Sequence, residues 1–168
     1  MQNNQTDNTE KNIYKNKPLY KTALFFILWF IFSLITVIVK NIVINAVSSS
    51  LEQKIDCGFI SFSQVHNYGI AFGFFDGFST VIILIAIIAL LIITTFVILK
   101  IKEISNVLLI TFSMMNAGII MNFIERIQNN GYVVDYIEIV PNILFNTADI
   151  LIVLSSISLA IIVYRYKQ

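Results

Sequence analysis

Ser79–Leu99 reads STVIILIAIIALLIITTFVIL, a run with no charged residue between Asp76 and Lys100. About 20 apolar residues suffice for a helix to cross a hydrocarbon core roughly 30 Å thick. This run predicts a membrane span over about 78–99, and the chain around it repeats the pattern. Between Lys21 and Lys40 lies TALFFILWFIFSLITVIV, also uncharged. It predicts a first span over about 22–44; the polar stretch before it and the apolar run itself are both too long for a cleaved signal peptide. A third run over about 104–124 holds Ser105, Asn106, Ser113, Asn116 and Asn122. Small and amide residues in a span favour the protein interior, so the third helix is expected to face the core and the second to face lipid. The last run predicts a span over about 142–164, starting near Pro141 because proline suits the first turn of a helix. Asp149 would then lie roughly 10–12 Å along that helix.

Composition agrees. The chain of 168 residues is 57% hydrophobic and 12% charged, with a mean hydropathy of +0.81. A soluble domain is about half apolar and a quarter charged. A net charge of +1, with no basic stretch interleaved with aromatics, gives no footprint for nucleic acid. One cysteine, Cys57, and one histidine, His66, leave too few ligands for a disulfide, a thiolate cluster or a zinc site.

Residues 1–21 are rich in Asn, Gln and Lys without apolar periodicity, which predicts a disordered cytoplasmic tail. Residues 22–168 then form one four-helix membrane domain. Between the first two spans, Ile60 to Val65 alternates as a strand does. The expected fold is therefore an all-α membrane protein: four transmembrane helices with a small extracytoplasmic β-like platform over about 48–70, then a loop dipping back toward the membrane. Lys and Arg concentrate in the N-terminal stretch, the 100–103 turn and the C-terminal end. Glu52, Asp56, Asp76, Asp135 and Glu138 occupy the opposite loops. By the positive-inside rule both termini are cytoplasmic.

Asp149 falls within an apolar run, and Asp135 lies fourteen positions before it. Ionisable groups at membrane depth are costly and mark function. Two neighbouring carboxyls in low dielectric do not both ionise readily, so they share a proton. One can deprotonate a water while the other polarises a carbonyl, which is aspartyl-protease chemistry without a cofactor. Spacing leaves a second reading open, in which Asp135 caps a turn and Asp149 makes a structural hydrogen bond. A Ser63–His66 nucleophile pair has weaker support, and Cys57 reads as a structural thiol. Glu125-Arg126 reads as a salt-bridged helix end. Lys40 reads equally as snorkelling to the interface or as meeting an anionic lipid head group.

Four short motifs occur in order: Asn67-Tyr68-Gly69-Ile70-Ala71-Phe72, Gly118 through Asn122 to Glu125-Arg126, Val133-Val134-Asp135-Tyr136, and Phe145-Asn146-Thr147-Ala148-Asp149. Together they resemble the lipoprotein signal peptidases (signal peptidase II) over roughly 22–165. The resemblance implies a membrane aspartyl protease that removes signal peptides from diacylglyceryl-modified prolipoproteins, cutting before the lipidated cysteine. It makes Asp135 and Asp149 the catalytic pair. It places Asn67, Gly69, Asn122, Arg126, Asn146, Ala148 and Lys40 at positions that shape the site or contact substrate or the antibiotic globomycin. It implies no metal or other cofactor. The chain departs from the family pattern: of D-Q-x-T-K only Lys40 remains in Thr36-Val37-Ile38-Val39-Lys40, with Thr36 in place of the aspartate, Met121 stands for a glycine, and Glu125 for the aspartate before Arg126. Two rival functions are a catalytically impaired relative that binds lipidated peptides and a small ion or proton transporter using Asp149. A transporter should carry more ionisable or helix-breaking residues within its spans.

Overall fold

A computed structural model describes residues 3–50, 54–69, 77–140 and 143–166. In chain order the elements are α1 (Asn3–Ser49), β1 (Lys54–Asp56), β2 (Ser61–Asn67), α2 (Ser79–Leu99), α3 (Asn106–Gln128), β3 (Val133–Val140), β4 (Ile143–Phe145) and α4 (Thr147–Tyr166). Pro18–Ser49 of α1 and the whole of α2, α3 and α4 are long and apolar enough to cross a membrane.

The α1 backbone is helical from Asn3, where composition predicts a disordered tail over 1–21. Once a span is helical, each added residue gains one backbone bond without a new nucleation cost, so helix can run on into polar sequence. Ser105 sets the start of α3 by accepting the Leu108 N–H at 3.2 Å. The expected start of α4 is displaced: Ile143–Phe145 is strand, and the helix begins at Thr147. Asp149 is thus in the first turn of α4, not two turns inside it. Pro141 and residues 70–76, which include the expected dipping loop, lie outside the described residues.

The expected platform is a four-stranded antiparallel sheet in the order β1-β2-β3-β4. Its second half comes from the segment between α3 and α4, where Val133-Val134 and Ile137 supply β-branched residues suited to a pleated surface. In register, Asn67 faces Val133, Val65 faces Asp135 and Phe62 faces Ile137. Asn130 and Gly131, at φ of 55° and 112°, turn the chain from α3 into β3.

The third helix is the hub, packing against α1, α2 and α4. Each neighbour meets it through polar contact as well as apolar contact. Ser113 donates to the Phe25 carbonyl of α1 at 3.2 Å, Asn116 to the Thr94 hydroxyl of α2 at 2.9 Å, and Thr111 shares a bond with Ser158 of α4 at 3.0 Å. An apolar cluster of Phe25, Val97, Ile101, Ile104, Leu109 and Phe112 fills the opposite end of the bundle from the sheet. The second helix shows lipid a broad apolar face including Leu84, Ile85, Leu91 and Ile92. The division of labour expected between α2 and α3 is what the structure has.

Close packing of α3 on α4 depends on Gly118. A Cβ there would meet the Ala148 carbonyl oxygen at 2.5 Å and Ile152 Cγ1 at 2.6 Å. The helices could accept one only by separating, and overpacking of this kind costs about 1–3 kcal/mol. Gly118→Ala is therefore expected to lower the thermal midpoint in detergent, whereas Ala160→Ser on the outer part of α4 should leave it nearly unchanged.

Candidate active site

The sheet rests on the end of the bundle where α1 and α3 finish and α4 begins. Asp135 enters from β3 and is 2% exposed. One of its oxygens accepts from Asn67 Nδ2 at 2.8 Å, the other from Asn146 Nδ2 at 2.9 Å. Asp149 accepts from Asn122 Nδ2 at 2.7 Å and from the Asn146 backbone N–H at 3.1 Å. Asn146 Oδ1 in turn accepts the Asp149 N–H at 3.1 Å.

This reciprocal pair is a capping box built from Asn and Asp instead of Ser/Thr and Glu. Phe145-Asn146-Thr147-Ala148-Asp149 is therefore a helix start whose third residue is the carboxylate. The same Asn146 amide donates to Asn122 Oδ1 at 3.1 Å, so one asparagine ties both carboxylates and α3 together. The Tyr136 hydroxyl, hydrogen-bonded to the Thr147 hydroxyl, also accepts the Thr147 N–H at 3.2 Å, completing the helix end. Burial raises the Tyr136 hydroxyl above its ordinary pKa.

Burial also raises Asp135, to about 6, and the charge of Asp149 adds to the rise. The amides of Asn67 and Asn146 and the Arg126 charge oppose it. Arg126 is 6% exposed. It donates from Nη2 to the Gly69 carbonyl at 2.6 Å and from Nη1 to the Asn122 carbonyl at 3.3 Å, which holds its charge beside both carboxylates.

Asp135, Asp149, Asn67, Asn122, Asn146, Arg126 and Gly69 thus form one network. Ala148 lines an adjoining cleft of about 160 Å³ between α1 and α3, with Thr36, Lys40, Met121, Glu125, Tyr136 and Asn146 also on its wall. Thr36, Met121 and Glu125, three of the departures from the family pattern, are brought together there.

Lys40 has a partner within the protein: its Nζ pairs with Glu125 Oε1 at 2.6 Å. Glu125 and Arg126 are neighbours in sequence but turn to different partners. Ser63 and His66 lie on β2, where His66 stacks on Tyr132 with ring centroids 4.1 Å apart, and Ser63 pairs with Lys54 in the ladder. Sequence reasoning missed Tyr136 and the reach of Glu125 to the Val134 N–H, at 2.7 Å. The N-x-x-D spacing of a capping box was the available signal for the start of α4.

A family described as Signal peptidase (SPase) II matches residues 24–165. A lipoprotein signal peptidase of Clostridium novyi is 35% identical over 133 residues, covering 76% of this chain and 88% of the relative. One of Fusobacterium nucleatum is 30% identical over 131 residues, covering 77% and 79%. A bacterial membrane enzyme solved by the in meso method superposes with a TM-score of 0.74 at 22% identity, over 87% of this chain and 90% of that chain. That likeness shows a common fold.

Because the Asn67 amide favours the charged carboxylate, its removal has a definite sign. Asn67→Ala should move the Asp135 titration above about 6, read from the carboxyl infrared band assigned by Asp135→Asn. Asn146→Ala should do the same and also lower the thermal midpoint, since a lost cap costs about 1 kcal/mol.

Proposed function

This chain belongs to the signal peptidase II family, and we propose that it cleaves diacylglyceryl-modified prolipoproteins by aspartyl chemistry, cutting on the amino side of the lipidated cysteine. The observation that carries the reading is the shared Asn146, which holds Asp135 and Asp149 in one hydrogen-bonded network. Membership of the family accounts for signal-peptide removal from lipoproteins; the pairing of the carboxylates supplies the chemistry.

The charge on Asp149 is one reason that Asp135 keeps its proton. The active form carries one proton on the pair, on Asp135. Asp149 takes a proton from a water as the water oxygen bonds to the scissile carbonyl carbon. Asp135 gives its proton to the carbonyl oxygen, and a tetrahedral diol forms. When the C–N bond breaks, the proton on Asp149 passes to the leaving nitrogen, and a diol proton returns to Asp135. A carboxylic acid and an amine leave, and the pair is back in its starting state. Arg126, close to both carboxylates, offsets the negative charge without joining the transfer. The Asn67, Asn122 and Asn146 amides fix the two carboxyls, which is the positioning that such chemistry requires.

Placement in the bilayer follows the same logic. The site lies at the end of the bundle opposite the 100–103 turn and Arg165. The excess of Lys and Arg at that opposite end supports cytoplasmic termini and an extracytoplasmic site. Acyl chains of the substrate can then stay in lipid while its peptide bond reaches the carboxylates at head-group depth.

The purified chain should cleave a synthetic diacylated prolipoprotein peptide. Asp135→Asn and Asp149→Asn should each lose on the order of 10³-fold or more in kcat/KM, within the range that acid–base groups contribute. Since Asp135 must be protonated, kcat/KM should fall as pH rises through about 6. Cleavage at the wild-type rate by either variant would overturn the mechanism. Binding of the peptide by the wild type without cleavage would favour a non-catalytic binder of lipidated peptides.

A further inference from the structure

The geometry points to Glu125 as a positioning residue that sets the separation of the two aspartates by fixing the strand that carries Asp135; the inference rests on the aspartyl reading above. Glu125 Oε1 accepts the backbone N–H of Val134 at 2.7 Å, and Val134 is the residue immediately before Asp135. The same oxygen accepts from Lys40 Nζ at 2.6 Å. Its side chain is 12% exposed and that of Lys40 28%, so both bonds are partly buried. Charge-assisted bonds of this length are among the stronger ones in proteins.

The position of Glu125 on α3 gives the contact its consequence. Asn122 lies three residues earlier, and residues three apart share a helix face. Asn122 holds the Asp149 carboxylate at 2.7 Å, while Glu125 holds the strand of Asp135. One rigid face of α3 therefore grips both halves of the pair and measures the distance between them. The Lys40 ammonium selects the Glu125 rotamer and brings α1 into the same arrangement.

Reach, more than charge, sets the contact. An aspartate at 125 is one methylene shorter, roughly 1.5 Å of extension, and could not keep both bonds from the same backbone position. A glutamine keeps the reach and an accepting oxygen. Shifting a reacting group by about 1 Å can cost on the order of 100-fold in rate. A strand released from α3 would move Asp135 relative to Asp149.

The test compares E125A, E125D and E125Q with wild type and D135N, in lipid nanodiscs, on the same diacylated peptide. E125A and E125D are expected to lose roughly 10–100-fold in kcat. E125Q is expected to restore kcat to within about threefold of wild type. In E125A the limb of the pH profile near 6 should also shift, because Asp135 changes its surroundings; a purely structural loss would lower the thermal midpoint without moving that limb. Wild-type kcat in both E125A and E125D, with D135N inactive, overturns the positioning role alone. Equal losses in E125Q and E125A also overturn it, since the charge and not the reach would then matter. Wild-type cleavage by D135N overturns the aspartyl reading and this role together. If E125A does not fold, the contrast of E125D with E125Q decides the same question.

Discussion

Asn146 is asked to satisfy a helix end and two carboxylates at once, and the arrangement of the site follows from that demand. In surroundings of low dielectric, each polar group left unpaired costs more than it would in water. The protein answers with neutral amides. Asn67, Asn122 and Asn146 donate to the aspartates, and their own carbonyl oxygens accept from Gly69 N–H, Asn146 Nδ2 and Asp149 N–H in turn. Each asparagine uses both ends of its side chain, so none can flip without breaking two contacts. Amides fix the carboxylates without cancelling their charge, which more cations would do. Among the described residues of the network, Arg126 brings the full positive charge, and it is spent mainly on backbone carbonyls.

The bundle supplies what the network cannot supply for itself. Asp149 can meet Asn122 only if α4 lies close against α3, and Gly118 permits that approach one turn below Asn122. Asp135 can meet Asn146 only if β3 is held down on the helix ends, and the Asn130-Gly131 turn with the Glu125–Val134 bond holds it there. Helix packing and strand placement thus converge on one asparagine from two directions.

The spans were legible because hydrophobic runs bounded by charge leave few other readings. The sheet was half legible. Alternation from Ile60 to Val65 announced β2, but Val133–Val140 hides its strand character, since Val133, Val134, Asp135 and Tyr136 are consecutively buried and give no period of two. The start of α4 was misjudged because Pro141 is a strong helix-start signal taken alone, whereas the Asn146–Asp149 capping pair wins once β4 can pair with β3. The site residues were legible through family resemblance, and spacing by itself left open whether Asp135 and Asp149 meet. What no local pattern could carry was the partner of Lys40, which lies 85 positions away.

That long-range pair changes how the departures from the family pattern are read. Taken singly along the chain, Thr36, Met121 and Glu125 look like three separate losses. In space they line one cleft, and residues that share partners do not act independently. Thr36 stands one helical turn before Lys40, at a position where a carboxylate could pair with the lysine. Here the Thr36 hydroxyl bonds back to the Ser33 carbonyl at 2.7 Å and offers Lys40 no charge. The longer Glu125 reaches the Lys40 ammonium from α3 while still holding Val134. In this chain the carboxylate that meets Lys40 comes from the third helix. The departures around the cleft leave the amide contacts of both aspartates and the bond that holds Val134 in place.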